Sequence, residues 1–176
     1  MKTAAELGLP QEEYDALIFV RDQLRSGAYC YAPLDHNDIK EWYATPKDER
    51  KYLSNPEFPR AARLSIFNMG TIFEKADCNS IGCIGGWMGK KLGKSTKPGT
   101  AYTPPLSIGA SEVERWAAHH PVLEHLFYPH AIPEDDWQNI TPAAAADAID
   151  NVLNTGNADW KAVAEAHDLA YDEDME

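Results

Sequence analysis

The chain has few cysteines, no long apolar run and, over its last third, almost no positive charge. Three cysteines in 176 residues is a small and odd number, which argues against a secreted disulfide framework and for a compartment where thiols stay reduced. The longest wholly apolar run, Ala16 to Val20, falls far short of the ~20 residues a membrane-spanning helix needs. The amino terminus places Glu6 where a secretory segment would be apolar, so no signal peptide is read there. The resulting expectation is a cytoplasmic chain without membrane contact.

The shortage of bases is local. Residues 111–176 hold fifteen acids against only Arg115 and Lys161, a balance of −13, whereas residues 1–110 sit at +1. An acidic surface repels phosphate, so general nucleic-acid binding is not expected. The acidic third reads in two ways: a solvated helical surface ending in a disordered acidic tail over 170–176, or a patch that imitates nucleic acid or docks a basic partner. The converse shortage falls between Asp77 and Glu112, where no acid occurs and Lys90, Lys91, Lys94 and Lys97 form a basic patch that reads either as solvated lysines or as a binding surface drawing a phosphate-bearing ligand.

What is present describes a mainly α fold: a compact single domain over 1–176 with about six to eight short helices, a long Gly/Pro/Ser/Thr-rich loop and room for a minor β element. The length is ordinary for one domain, and twelve prolines divide the chain into short elements. Tyr14, Leu17, Ile18 and Leu24 recur at helical spacing between Pro10 and Gly27. Asn37 or Asp38 caps a short helix through Trp42, and Thr45-Pro46 starts another that ends before Asn55-Pro56. Arg60 to Phe73 fits neither period cleanly and reads as a helix ending near Asn68.

Ile84 to Leu92 reads as a buried helix whose glycines let another backbone approach, and residues 93–110 as the long loop. Ser111-Glu112-Val113-Glu114 is a capping box for a helix that ends by Pro121 and turns Val113, Trp116 and Ala117 inward. Thr141-Pro142 opens a helix with an Ala145, Ala148, Ile149, Val152, Leu153 stripe that stops at Gly156, and Asp159 opens a last one carrying Trp160, Val163, Ala164 and His167.

The segment from Asp77 to Gly89 concentrates two cysteines, four glycines and a tryptophan. Cys83 stands just before a helical run, where free N–H groups favour a thiolate, so it is a candidate nucleophile. A base for it would come from His120, His119, His125, His130 or His36. The competing reading makes Cys83 a small buried hydrophobe. Cys78 and Cys83 form C-x4-C, but His120 and His125 would not share a helix face, so no zinc site, and no other cofactor, is assigned. Gly93-Lys94-Ser95 ends like a phosphate-binding loop, yet Gly89 is one residue too close and Met88 occupies the position the motif needs as glycine. Glu134, Asp135 and Asp136 lack the order of a calcium loop. The five tryptophans, Trp42, Trp87, Trp116, Trp137 and Trp160, read as core anchors.

Phe67-Asn68-Met69-Gly70, then Cys78-Asn79-Ser80-Ile81-Gly82-Cys83-Ile84-Gly85-Gly86-Trp87, then Leu126-Phe127-Tyr128-Pro129, then Thr141 to Asp150 and Thr155-Gly156 to Trp160 together resemble a group of uncharacterised bacterial and bacteriophage proteins. That group has a C-G-T-x-x-C-x-x-G-W core, a later L-F-x-P segment and an Ala-rich helix ending in T-G. Here Asn79-Ser80 replaces the usual G-T. The resemblance implies a phage-associated context, and with it an accessory protein that binds a host or competitor macromolecule, but no reaction. In that light Cys78, Gly82, Gly85, Gly86 and Trp87 are expected to be a structural signature, and the chain a non-enzymatic interaction module. The alternative is a thiol-dependent enzyme built on Cys83.

Overall fold

The computed structural model describes residues 1–31, 65–70, 73–75, 80–95 and 111–175. The expected helices before Trp42 and Asn55, the loop over 96–110, and Cys78, His36, Trp42 and Lys97 lie outside these residues. Within them the protein is mainly helical, with seven α-helices and a minor four-stranded sheet. The helices are α1 (Ala4–Leu7), α2 (Gln11–Arg25), α3 (Ile84–Lys91), α4 (Glu112–Ala118), α5 (Glu124–Phe127), α6 (Pro142–Thr155) and α7 (Trp160–His167). The strands are β1 (Cys30–Tyr31), β2 (Ser65–Phe67), β3 (Phe73–Lys75) and β4 (Ser80–Gly82).

The local chemistry explains most helix ends. Thr3 and Glu6 make a reciprocal capping box at α1, a helix the periodicity did not reveal, and Gly8 closes it at φ +69°. Pro10 precedes α2, and Gly27 follows it at φ +71°, a left-handed turn that glycine adopts without a steric cost. Ser111 and Glu114 form the expected box at α4. Thr141 accepts from the Ala144 amide at the start of α6, and Gly156 ends that helix at φ +93°. Each cap meets backbone donors or acceptors that a helix end leaves unpaired, worth about 1 kcal/mol per good N-cap.

The stretch before Asn68 corrects the sequence reading. Ser65–Phe67 is strand rather than helix: β2 lies inside the order β1-β2-β4-β3, parallel to β1 and β4, with β3 antiparallel to β4. Ile66 pairs with both Cys30 and Ile81 in register. A strand with neighbours on both edges gains its hydrogen bonds from distant segments, so its sequence carries no period of its own.

Helix α2 packs along α6 and also meets α3; α3 lies against α4, and α6 against α7. The shared interior holds Leu17, Val20, Ile84, Met88, Phe127, Ile149 and Leu153, all buried. Ala145 and Ala148 of α6 are buried, as their place in the apolar stripe predicts. On the outer side of that seam Arg25 pairs with Asp147 and Asp150, Arg21 with Asp150, and His167 with Asp147 at 2.7 Å. Towards the end of the chain the Asp172 amide donates to the Ala131 carbonyl at 2.8 Å, and Lys161 meets Glu173 at 2.5 Å.

Candidate functional site

The glycine-rich segment turns into a packing device. Cys83 caps α3, its sulfur accepting from the Gly86 amide at 3.4 Å, so its place at the helix start is the one read from sequence. Gly85 and Gly89, four apart, share one face of α3 and meet Ala117 and Val113, four apart on α4. A Cβ on Gly89 would lie 2.0 Å from Val113 Cγ2, and one on Gly85 would lie 3.1 Å from the Phe127 ring. Trp87 fixes the other side of α3 by donating its indole N–H to the Ile66 carbonyl at 3.2 Å and stacking on Tyr29 at 4.4 Å. Gly82 ends β4 immediately before this helix.

The same packing changes the chemistry of Cys83. Its side chain is wholly buried, and burial pushes the thiol up to about 11, with the Gly86 and Gly85 amides offsetting only part of that. A nucleophilic thiol needs the opposite shift. His120, the expected base, has other partners. The His120 Nδ1 accepts from the Val122 and Leu123 amides at 3.2 and 2.9 Å, while Nε2 lies 2.8 Å from Glu13 Oε2. That partner set places the ring hydrogen on Nε2, donating to Glu13, and leaves neither nitrogen for a thiol proton. Glu13 takes the Trp116 indole N–H on its other oxygen at 3.1 Å. The candidate base is therefore the centre of a buried polar clamp joining α2, α4 and the start of α5.

The lysine patch is assembled in part. Lys90 Nζ sits 4.5 Å over the Trp87 ring, Lys91 Nζ 4.3 Å over Phe19 and Lys94 Nζ 5.1 Å over Trp116. Each ammonium lies over an aromatic face, as a cation–π contact requires. Lys90 and Lys91 border a cavity of about 370 Å³ that Tyr29, Trp87 and Phe19 also line.

A second cavity was not read from the sequence. About 380 Å³ in volume, it is lined by His125, Tyr128, His130, Trp160 and Tyr171, together with Asp159. Its lining comes from three separate places: the end of α5 and the turn after it, the start of α7, and the returning tail. Trp160 donates its indole N–H to the His125 carbonyl at 2.8 Å, which ties two of these together. The Tyr128 and His130 rings lie nearly parallel, 6.3 Å apart. Burial first, then nearby negative groups, raises the Tyr128 hydroxyl well above the ordinary tyrosine range. Asp159 caps α7 by accepting from the Ala162 amide at 3.2 Å, in a left-handed conformation at φ +49°. The sequence signal for this wall was present only as fragments, Leu126-Phe127-Tyr128-Pro129 and Asp159-Trp160, more than thirty residues apart.

Among the described residues no group of three or more His, Cys, Asp or Glu is placed to hold a metal ion, and no helix is long and apolar enough to cross a membrane. Comparison with protein-family models, curated proteins and solved structures returned no match.

Proposed function

We propose that the protein is a non-catalytic interaction module whose acidic carboxyl-terminal third receives a basic segment of a protein partner. The observation that carries this reading is the coincidence of charge and shape: every residue lining the 380 Å³ cavity belongs to residues 111–176, the part of the chain with a balance of −13. Opposed charge raises the encounter rate and selects the partner's sign, while a cavity supplies the fixed point that a diffuse field lacks. The burial of Cys83 and the commitment of both His120 nitrogens support this reading over a thiol-dependent enzyme. An accessory protein binding a host or competitor macromolecule, which the phage-group resemblance implies, is a role of this kind.

Calorimetric titration of an oligolysine peptide tests the proposal. Binding is expected at low salt and is expected to weaken steeply as salt rises, with an oligoglutamate peptide inert. Absence of oligolysine binding at low salt would refute it.

A further inference from the structure

We infer that the cavity between α5, α7 and the returning tail is an arginine pocket, taking one arginine side chain from the basic segment. This deepens the interaction-module reading and rests on it. Three features of the pocket match the guanidinium group. Its lining includes the aromatic side chains of Tyr128, Trp160, Tyr171 and His130, the kind of ring on which a planar, weakly hydrated cation stacks. Its lining carries a carboxylate: Asp159 accepts from the Ala162 amide through Oδ1, while Oδ2 has no partner among the described residues and can take a guanidinium donor. Its volume of about 380 Å³ falls in the range of roughly 300–1,000 Å³ of ligand-binding clefts.

The pocket is also held in shape before any ligand arrives. The Trp160 indole is fixed on His125, and the Asp172 amide on Ala131 sets Tyr171 in place. A preformed pocket loses less entropy on binding than one that must assemble. A lysine side chain would meet the carboxylate but has no planar face for the rings, so the pocket separates the two cations. The source of the guanidinium is a protein chain rather than free arginine, because residues 111–176, which supply the whole lining, carry a balance of −13 that a basic segment matches and a single arginine does not.

The test uses two peptides of equal charge, one with a central arginine in a lysine background and one with lysine in its place. They are titrated into the wild-type protein and into Asp159→Asn, which keeps the helix cap and tolerates the left-handed backbone. The arginine peptide is expected to bind wild-type protein about tenfold more tightly than its lysine twin. Asp159→Asn should erase most of that difference at an unchanged melting temperature. Tyr171→Leu, which keeps apolar volume but loses the ring face, should do the same. Equal binding of the two peptides to wild-type protein, or a preference that survives both substitutions, would overturn the arginine pocket while leaving the acidic-face reading intact. Free arginine binding as tightly as the peptide would overturn the assignment to a protein partner. Failure of both peptides to bind at low salt would refute both readings.

Discussion

Replacing Gly89 with alanine tests the packing explanation of the glycine-rich segment quantitatively. On an exposed helix, Gly→Ala stabilises by about 1 kcal/mol, because alanine has the better helix propensity and restricts the unfolded chain. Here the new methyl carbon would sit 2.0 Å from Val113 Cγ2 and 3.3 Å from Val113 Cβ, against a preferred carbon–carbon separation of about 3.5–4.0 Å. Val113 is fully buried, and a β-branched residue in a helix has essentially one good rotamer, so it has little freedom to turn away. Either α3 moves off α4 or Val113 becomes strained. Such overpacking costs about 1–3 kcal/mol, often more when backbones must separate.

The expected net effect of Gly89→Ala is a loss of up to about 2 kcal/mol after the propensity gain is subtracted. The assay is urea unfolding followed by tryptophan fluorescence, in a double-mutant cycle with Val113→Ala. Val113→Ala removes the atoms that clash, so Gly89→Ala in that background should become neutral or stabilising. A coupling energy of about 1–3 kcal/mol between the two sites is the expected signature. Stabilisation by Gly89→Ala alone would refute the close approach of α3 and α4.

Other consequences follow from the same contacts. Glu13→Gln leaves one acceptor for two buried donors, the Trp116 indole and His120 Nε2, and should lower stability by about 1–3 kcal/mol in urea unfolding. Asp147→Asn should cost only about 0.2–1 kcal/mol, and less at high salt, because its partners Arg25 and His167 lie partly in solvent. Burial pushes Asp147 up, yet the hydrogen bonds from His167 and Arg25 outweigh it and hold this carboxyl below its ordinary value. Its contribution is therefore present at neutral pH and lost as pH falls through the lowered folded value.

At alkaline pH the sign reverses. Burial raises Cys83 from 9.0 to about 11 and Tyr29 from 10.0 to about 12. The unfolded chain releases these protons first, so stability should be complete below about pH 9 and fall progressively above it. Cys83→Ala should flatten the fall between pH 9 and 11 in a series of denaturation midpoints. Native Cys83 should also resist iodoacetamide at pH 8, where a thiol titrating near 11 is thiolate in roughly one molecule in a thousand. Rapid alkylation under native conditions would contradict its burial.

The parts of the fold that the sequence made legible are those in which local chemistry decides the outcome. Ser111 with Glu114, Thr141 with Gly156, and Asp159 with its apolar stripe each carry their own start or stop signal. The segment around Ile66 carried none, since its partners Cys30 and Ile81 lie at opposite ends of a long stretch of chain. Gly85 and Gly89 were legible as a close approach, but not the identity of Val113 and Ala117 as the surface approached. His120 is a related case. His120 has the chemistry of a base, and only the three-dimensional partners Glu13, Val122 and Leu123 show that both its nitrogens are already committed. The aromatic pocket was least legible, because Tyr128, Trp160 and Tyr171 become neighbours only after α6 has turned the chain back.

The most direct test of the account follows the indole N–H resonances of isotope-labelled protein as an arginine-containing basic peptide is added at low salt. The Trp160 indole, fixed on the His125 carbonyl in the wall of the aromatic pocket, should shift progressively to saturation, while the Trp87 indole on the Ile66 carbonyl beside Lys90 stays in place. Shifts centred on Trp87, or a spectrum unchanged by the peptide, would contradict it.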